Sequence, residues 1–250
     1  MGSEMCIRDR SPIVRTLARA ATVAVAGLLA QAVSAQTLPG FHLMAGTSRV
    51  AFFSRSGDFG GRQKADVKRT DAFLAQMEKT LTQPLAAPIS YYTHERPEDI
   101  AAQTGVYAYG LTRVGDSVVH STTTYHPHEL VHAVAGGLGD PGRFFHEGLA
   151  VALGDEGRWD GRAVDALVRA LAATVDRKQL VKSFDSLPSA VAYPVAGSFV
   201  KHLIDREGLP KLIAFFRACP KGVNVDAAFL RTYGRSFQAA FAEWQQRMAA

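Results

Sequence analysis

His128-Glu129-Leu130-Val131-His132 is the stretch on which the reading of this chain turns, followed after fourteen intervening residues by Glu147 in Phe144-Phe145-His146-Glu147-Gly148-Leu149-Ala150. Residues four apart on a helix share one face, so His128 and His132 can aim two imidazoles at one metal ion. Glu129 falls beside them, within reach of a water held there. A second helix carrying Glu147 can complete a two-histidine, one-carboxylate site with one position left open for chemistry. The residues between the ligands, Leu130 and Val131, and those after them, Ala133, Val134 and Ala135, are apolar. That pattern predicts a buried helix, and a buried glutamate and histidine pair needs partners. Gly136-Gly137 and Gly139-Asp140-Pro141-Gly142 then end the helix and turn the chain.

Downstream of Pro127 the pattern predicts helices. Val164, Leu167, Leu171 and Val175 mark one amphipathic stripe, and Phe199, Val200, Leu203 and Ile204 another. Phe237, Phe241, Trp244 and Met248 mark the last, with Ser236 as its cap. These stripes are read as core. Upstream the signals are mixed. Val50-Ala51-Phe52-Phe53, Ile89-Ser90-Tyr91-Tyr92 and Val106-Tyr107-Ala108-Tyr109-Gly110-Leu111 predict three strands, and a turn at Gly115-Asp116 leads into a fourth at Ser117 to His120. Val67, Thr70, Leu74, Met77 and Leu81 recur at helical spacing until Gln83-Pro84, and Pro97 suits the first position of a short helix. The expected fold class is therefore α+β: a small mixed lobe with a short sheet over residues 36–125, then a mainly helical lobe over residues 126–250, in one domain.

The 250 residues are 47% hydrophobic and 20% charged, as expected of a folded globular chain. Residues 1–35 read as a secretory signal. Arg15 and Arg19 form the basic region, Ala20 to Val33 the apolar run, and Val33-Ser34-Ala35 a small-x-small site predicted to be cut after Ala35. The apolar run is short for a bilayer span. Met1 to Arg10 fit neither signal nor fold; Met5-Cys6-Ile7-Arg8-Asp9 resembles a translated adapter sequence and is read as artefactual. The expected location is secreted or periplasmic, with no membrane span after cleavage. The net charge is +5, and residues 1–35 hold four Arg against two acidic residues, which leaves +3 for the remainder. With no basic run and no basic stripe interleaved with aromatics, nucleic acid is not an expected partner. Cys219 is the one cysteine beyond that segment, so no internal disulfide forms there; beside Phe215 and Phe216 it reads as a buried small hydrophobe.

The motif together with Glu147-Gly148-Leu149-Ala150 resembles the gluzincin metallopeptidases, in particular the short peptidase MA-like domains. Tyr193-Pro194-Val195-Ala196-Gly197-Ser198-Phe199-Val200-Lys201-His202-Leu203-Ile204 is similar to the helix that follows the glutamate ligand in that family. The resemblance runs from about Phe41 to Met248 and is strongest from Pro127 onward. It implies a zincin-like fold, one Zn2+ held by His128, His132 and Glu147, Glu129 as general base, and peptide-bond hydrolysis of a peptide or protein substrate. Tyr193 lies where some relatives place a tyrosine that stabilises the oxyanion; packing is the other reading of that residue. His146 competes with Glu147 as third ligand, and the Glu-Gly-Leu-Ala context favours Glu147. His126 is expected to be structural or solvated. In relatives, a strand placed like residues 117–120 pairs with an extended substrate. Two other readings keep the motif: a non-catalytic metal-binding or interaction domain on the same scaffold, and a zinc amidase or esterase. A metal-free hydrolase is disfavoured, because no G-x-S-x-G elbow occurs and Cys219 has no histidine context.

Overall fold

Val50–Ser54 and Ile89–Thr93 are rich in β-branched and aromatic residues, and both are buried almost throughout. The computed structural model describes residues 37–57 and 59–250, and makes these two segments the centre of a mixed sheet. Its strands are β1 (His42–Gly46), β2 (Val50–Ser54), β3 (Ile89–Thr93), β4 (Gly110–Thr112) and β5 (Val118–Ser121), in the order β1-β2-β3-β5-β4. Strands β2, β3 and β5 run parallel, and β1 and β4 close the two edges antiparallel. The segment read from the sequence as a secretory signal, the cleavage site expected after Ala35, and Cys6 lie outside the described residues.

Ten α-helices complete the described residues, and the fold is α+β, with the sheet in the N-terminal half and a mostly helical C-terminal part. Parallel pairs need crossovers, and helices α1 (Gly61–Thr80) and α2 (Pro97–Thr104) supply them. Helix α1 buries Val67, Thr70, Leu74 and Met77, the stripe expected from the sequence, and packs on both the sheet and α3. Helix α2 begins with Pro97 at its first position.

Two helices, α3 (Pro127–Ala135) and α4 (Arg143–Leu153), carry the motif and its downstream glutamate. The helical part continues through a small hairpin, β6 (Arg158–Trp159) and β7 (Arg162–Ala163), then α5 (Val164–Val168), α6 (Arg177–Lys182), α7 (Ser189–Glu207), α8 (Leu209–Arg217), α9 (Val225–Tyr233) and α10 (Phe237–Ala249). A single apolar cluster joins sheet residues such as Phe52, Tyr91 and Val119 to helix residues such as Phe145, Phe199 and Trp244. Cys219 is fully buried in it. Ser236 caps α10 by accepting from the Ala239 amide, as its sequence position suggested.

Helices α4 and α7 make the most extensive helix contact, and small residues allow it. A Cβ on Gly148 would sit 2.6 Å from the Ala196 carbonyl oxygen and 2.5 Å from Val200 Cγ2, so only glycine lets the two backbones approach this closely. The contact brings the helix bearing Glu147 against the helix bearing Tyr193.

Several elements differ from the sequence reading. The predicted strand over residues 106–111 shrinks to Gly110–Thr112, and Val106, Tyr107 and Tyr109 stand exposed. An apolar, aromatic run is a strand only where a partner exists, and β5 ends at Ser121, opposite Gly110. The stripe Val164, Leu167, Leu171 and Val175 is not one helix. Helix α5 has five residues, and the buried positions are Val164, Val168 and Ala172. Asp176 then caps a new helix by accepting from the Lys178 and Gln179 amides. Strand β1 and the β6–β7 hairpin add to the elements read from the sequence. The hairpin did have a local signal: Asp160 and Gly161 both adopt positive φ, as Asp-Gly does in tight two-residue turns.

Candidate metal centre

Motif helix α3 is held at both ends. Before it, Thr124 bonds Asp66 on α1, and Tyr125 receives the Arg69 guanidinium 3.8 Å from its ring centroid. His126, half-buried, bonds Ser121 through Nδ1 at 2.9 Å; it is a structural residue pointing back to β5. Burial lowers its pKa. After α3, the glycine-rich turn sends the chain into α4. The far end of α4 returns to the first turn of α3, where a Cβ on Gly154 would lie 2.8 Å from the His128 backbone.

The result is a buried cluster in which His128, His132 and Glu147 each offer a ligand atom, all within 4.8 Å of one another. His128 Nε2 lies 3.0 Å and His132 Nε2 3.2 Å from the same oxygen, Glu147 Oε2. The relative exposures are 7%, 5% and 6%, so bulk water competes little for these atoms. Such a group can hold a metal ion. Among the described residues no other group of three such side chains converges in this way. His146 does not join it. Its ring stands perpendicular to Phe216 at 5.2 Å, and burial, followed by the field of His132, pushes its pKa down to about 4.

The electrostatics of the cluster favour a cation between the three groups. Burial would raise the Glu147 pKa, yet His132 and His128 hold it well below the usual carboxylate range. Burial would also keep His128 neutral, but the hydrogen bonds its ring nitrogens make to the Asp155 and Glu147 carboxylates raise its pKa to about 10. Two carboxylates around one imidazole amount to a demand for positive charge, which a proton or a metal can meet.

Asp155 is the neighbour of His128 that the sequence reading missed. Its Oδ2 lies 2.6 Å from His128 Nδ1. A carboxylate there holds the ring in the tautomer whose Nε2 lone pair faces Glu147 and the metal position. It lies eight residues after Glu147, past the end of α4, where spacing along the chain carries no signal. We expect Asp155→Asn to weaken metal affinity by about 10–100-fold with the fold intact. Competition against a chromophoric chelator measures this, and an unchanged affinity would refute the assignment.

Glu129 sits on α3 beside the cluster, 6% exposed, and its Oε2 is buried without a hydrogen-bond partner among the described residues. Space for it comes from strand β4. A Cβ on Gly110 would lie 2.7 Å from Glu129 Cγ and 2.3 Å from His126 Cε1, so any larger residue would displace one of them. Thr112 on the same strand donates to the Glu129 carbonyl at 3.2 Å. Tyr193 also reaches the site: its ring is 6.1 Å from that of His128 and stacks on Trp159 at 4.6 Å. Burial raises its pKa to about 12. His128, His132, Glu147, Glu129 and Tyr193 therefore lie in this one region, and His146 stands outside the cluster.

The strand expected to meet a substrate does not fit that role. Residues 118–121 form β5, which is paired on one side with β3 and on the other with β4. Its backbone groups are already used, because β5 is internal to the sheet. The edge beside the cluster is β4.

Comparison with known proteins returned no match, either to a family model or to a curated protein. Among the described residues no helix is long and apolar enough to cross a membrane.

Proposed function

We propose that this protein is a zinc-dependent peptide-bond hydrolase of the gluzincin type, secreted or periplasmic, acting on peptide or protein substrates. The observation that carries the reading is the buried convergence of His128, His132 and Glu147, with Glu129 on the helix of the two histidines and its buried Oε2 without a hydrogen-bond partner among the described residues. Zinc fits the donor set. Bonds of about 2.0–2.1 Å in a tetrahedral array place donor atoms roughly 3.3 Å apart, near the 3.0 and 3.2 Å that separate Glu147 Oε2 from the two imidazole nitrogens. A bound zinc ion supplies Lewis acidity, which acidifies water and polarises a carbonyl.

The chain's own residues supply the rest. Glu129 takes the proton from the attacking water and delivers it to the leaving amine. Its burial beside Gly110 keeps other donors from occupying it. The Tyr193 hydroxyl donates to the oxyanion as it develops. Asp155 holds His128 in its ligating tautomer. Strand β4, with one edge unpaired, offers backbone groups to an extended substrate next to Glu129. Exposed Tyr107 and Tyr109 lead into that edge.

The test is to load the purified protein with zinc, measure the bound stoichiometry, and assay a mixed peptide library with and without chelator. One zinc per chain and chelator-sensitive cleavage are expected. A protein that takes up no zinc defeats the metal assignment. One that binds zinc but cleaves only ester or non-peptide amide substrates is an esterase or amidase instead.

A further inference from the structure

Arg143 opens α4, where a cation meets the positive end of the helix dipole. The helix has no acidic residue in its first turn, and its N-cap Gly142 offers no side-chain cap. By local preference this is a poor place for arginine. A residue that breaks a local rule calls for a compensating role, and the guanidinium's contacts supply one. Its Nε lies 2.6 Å from Asp185 Oδ1. Its Nη2 lies 3.3 Å from Glu147 Oε1 and 3.2 Å from the Tyr193 hydroxyl. An ordinary i,i+4 surface pair would reach one exposed carboxylate; this one reaches a carboxylate whose side chain is only 8% exposed.

Two consequences follow from donor and acceptor chemistry. Glu147 has its Oε2 between the two imidazoles and its Oε1 on Arg143, so the carboxylate is fixed with one oxygen turned to the metal position. Arginine can only donate, so the Tyr193 oxygen accepts from it. The single phenolic proton of Tyr193 is then left for a different acceptor. Stacking on Trp159 and packing against Phe184 at 5.5 Å hold the ring in place.

Resting on the hydrolase reading above, the geometry points to Arg143 as a positioning residue that orients the Glu147 carboxylate and leaves the Tyr193 hydroxyl proton free for the substrate oxyanion. Lysine cannot replace it, because a single ammonium lacks the planar fork that reaches Asp185, Glu147 and Tyr193 together.

The experiment uses the full chain and four variants: Arg143→Met, Arg143→Lys, Tyr193→Phe and the Arg143→Met/Tyr193→Phe double. Zinc competition against a chromophoric chelator is read first, because it does not depend on turnover. Arg143→Met is expected to bind zinc about 10–100-fold more weakly, with Arg143→Lys between it and wild type. Hydrolysis of the best-cleaved library peptide is then measured at saturating zinc. For Arg143→Met, kcat is expected to fall about 10–100-fold with KM nearly unchanged, the sign of an interaction made in the transition state. Tyr193→Phe should cost far less in the Arg143→Met background than in wild type. Wild-type zinc affinity in both Arg143 variants, or independent effects of Arg143→Met and Tyr193→Phe, would overturn the inference while leaving the hydrolase reading in place. A wild-type protein that binds no zinc removes both.

Discussion

Glu129→Gln retains one zinc per chain and loses about 10²–10⁴-fold in turnover, the range that general acid–base catalysis supplies. The substitution isolates the proposed proton-transfer role because glutamine keeps the size and shape of glutamate but takes up no proton. The site tolerates the exchange sterically: the Glu129 side chain fills the space left by Gly110, and its Oε2 has no partner to lose among the described residues. Metal retention is expected because Glu129 is not one of the three groups that converge. Metal analysis and kcat/KM on the same preparation read both effects. A glutamine variant as active as wild type would remove Glu129 from the mechanism, and one that has lost its zinc would make it a ligand or a folding residue.

Glu147→Gln has the opposite signature. It is expected to lose metal affinity by more than the roughly 10–100-fold typical of changes outside the coordination sphere, and activity falls with it. The carboxylate is buried, ionised and shared between two imidazoles, so the amide removes the charge that draws a cation into the pocket. His146 provides the internal control. It is adjacent in sequence and even more buried, at 1% exposure, but it faces Phe216. His146→Gln should keep zinc at wild-type stoichiometry. If the His146 variant lost metal and the Glu147 variant kept it, the third ligand would be the histidine and α4 would be rotated relative to the description above.

The local pattern was legible wherever one helix or one strand decides the outcome. His128, Glu129 and His132 lie within five residues, so helical periodicity alone puts them on one side of α3. The Gly-rich stretch after Ala135 marked the end of that helix. The stripe of α1 and the aromatic stripe of α10 followed the same rule and occupy the core as expected. Legibility failed where a segment's state depends on a partner elsewhere. Residues 106–109 have strand composition, but among the described residues no strand lies opposite them. Residues 164–175 have helical periodicity, yet Asp176 starts a new helix and the buried face shifts to Val164, Val168 and Ala172. The expectation, carried by the resemblance, that residues 117–120 pair with an extended substrate fails on topology: hairpin pairing follows from the turn at Gly115-Asp116, but the parallel pairing of β5 with β3 does not.

The sequence by itself determined the motif helix, its two histidines and its glutamate, because those depend on spacing within a single turn of helix. It also determined the fold class, through the change of hydrophobic period from strands to helices near Pro127. The tertiary structure decided which later residues meet them. Glu147 rather than His146 faces the imidazoles, Asp155 returns from beyond α4, and Arg143, Trp159 and Tyr193 meet because Gly148 lets α7 approach α4 closely. Those contacts bring together residues far apart along the chain, and backbone packing distance, which no local pattern encodes, sets them.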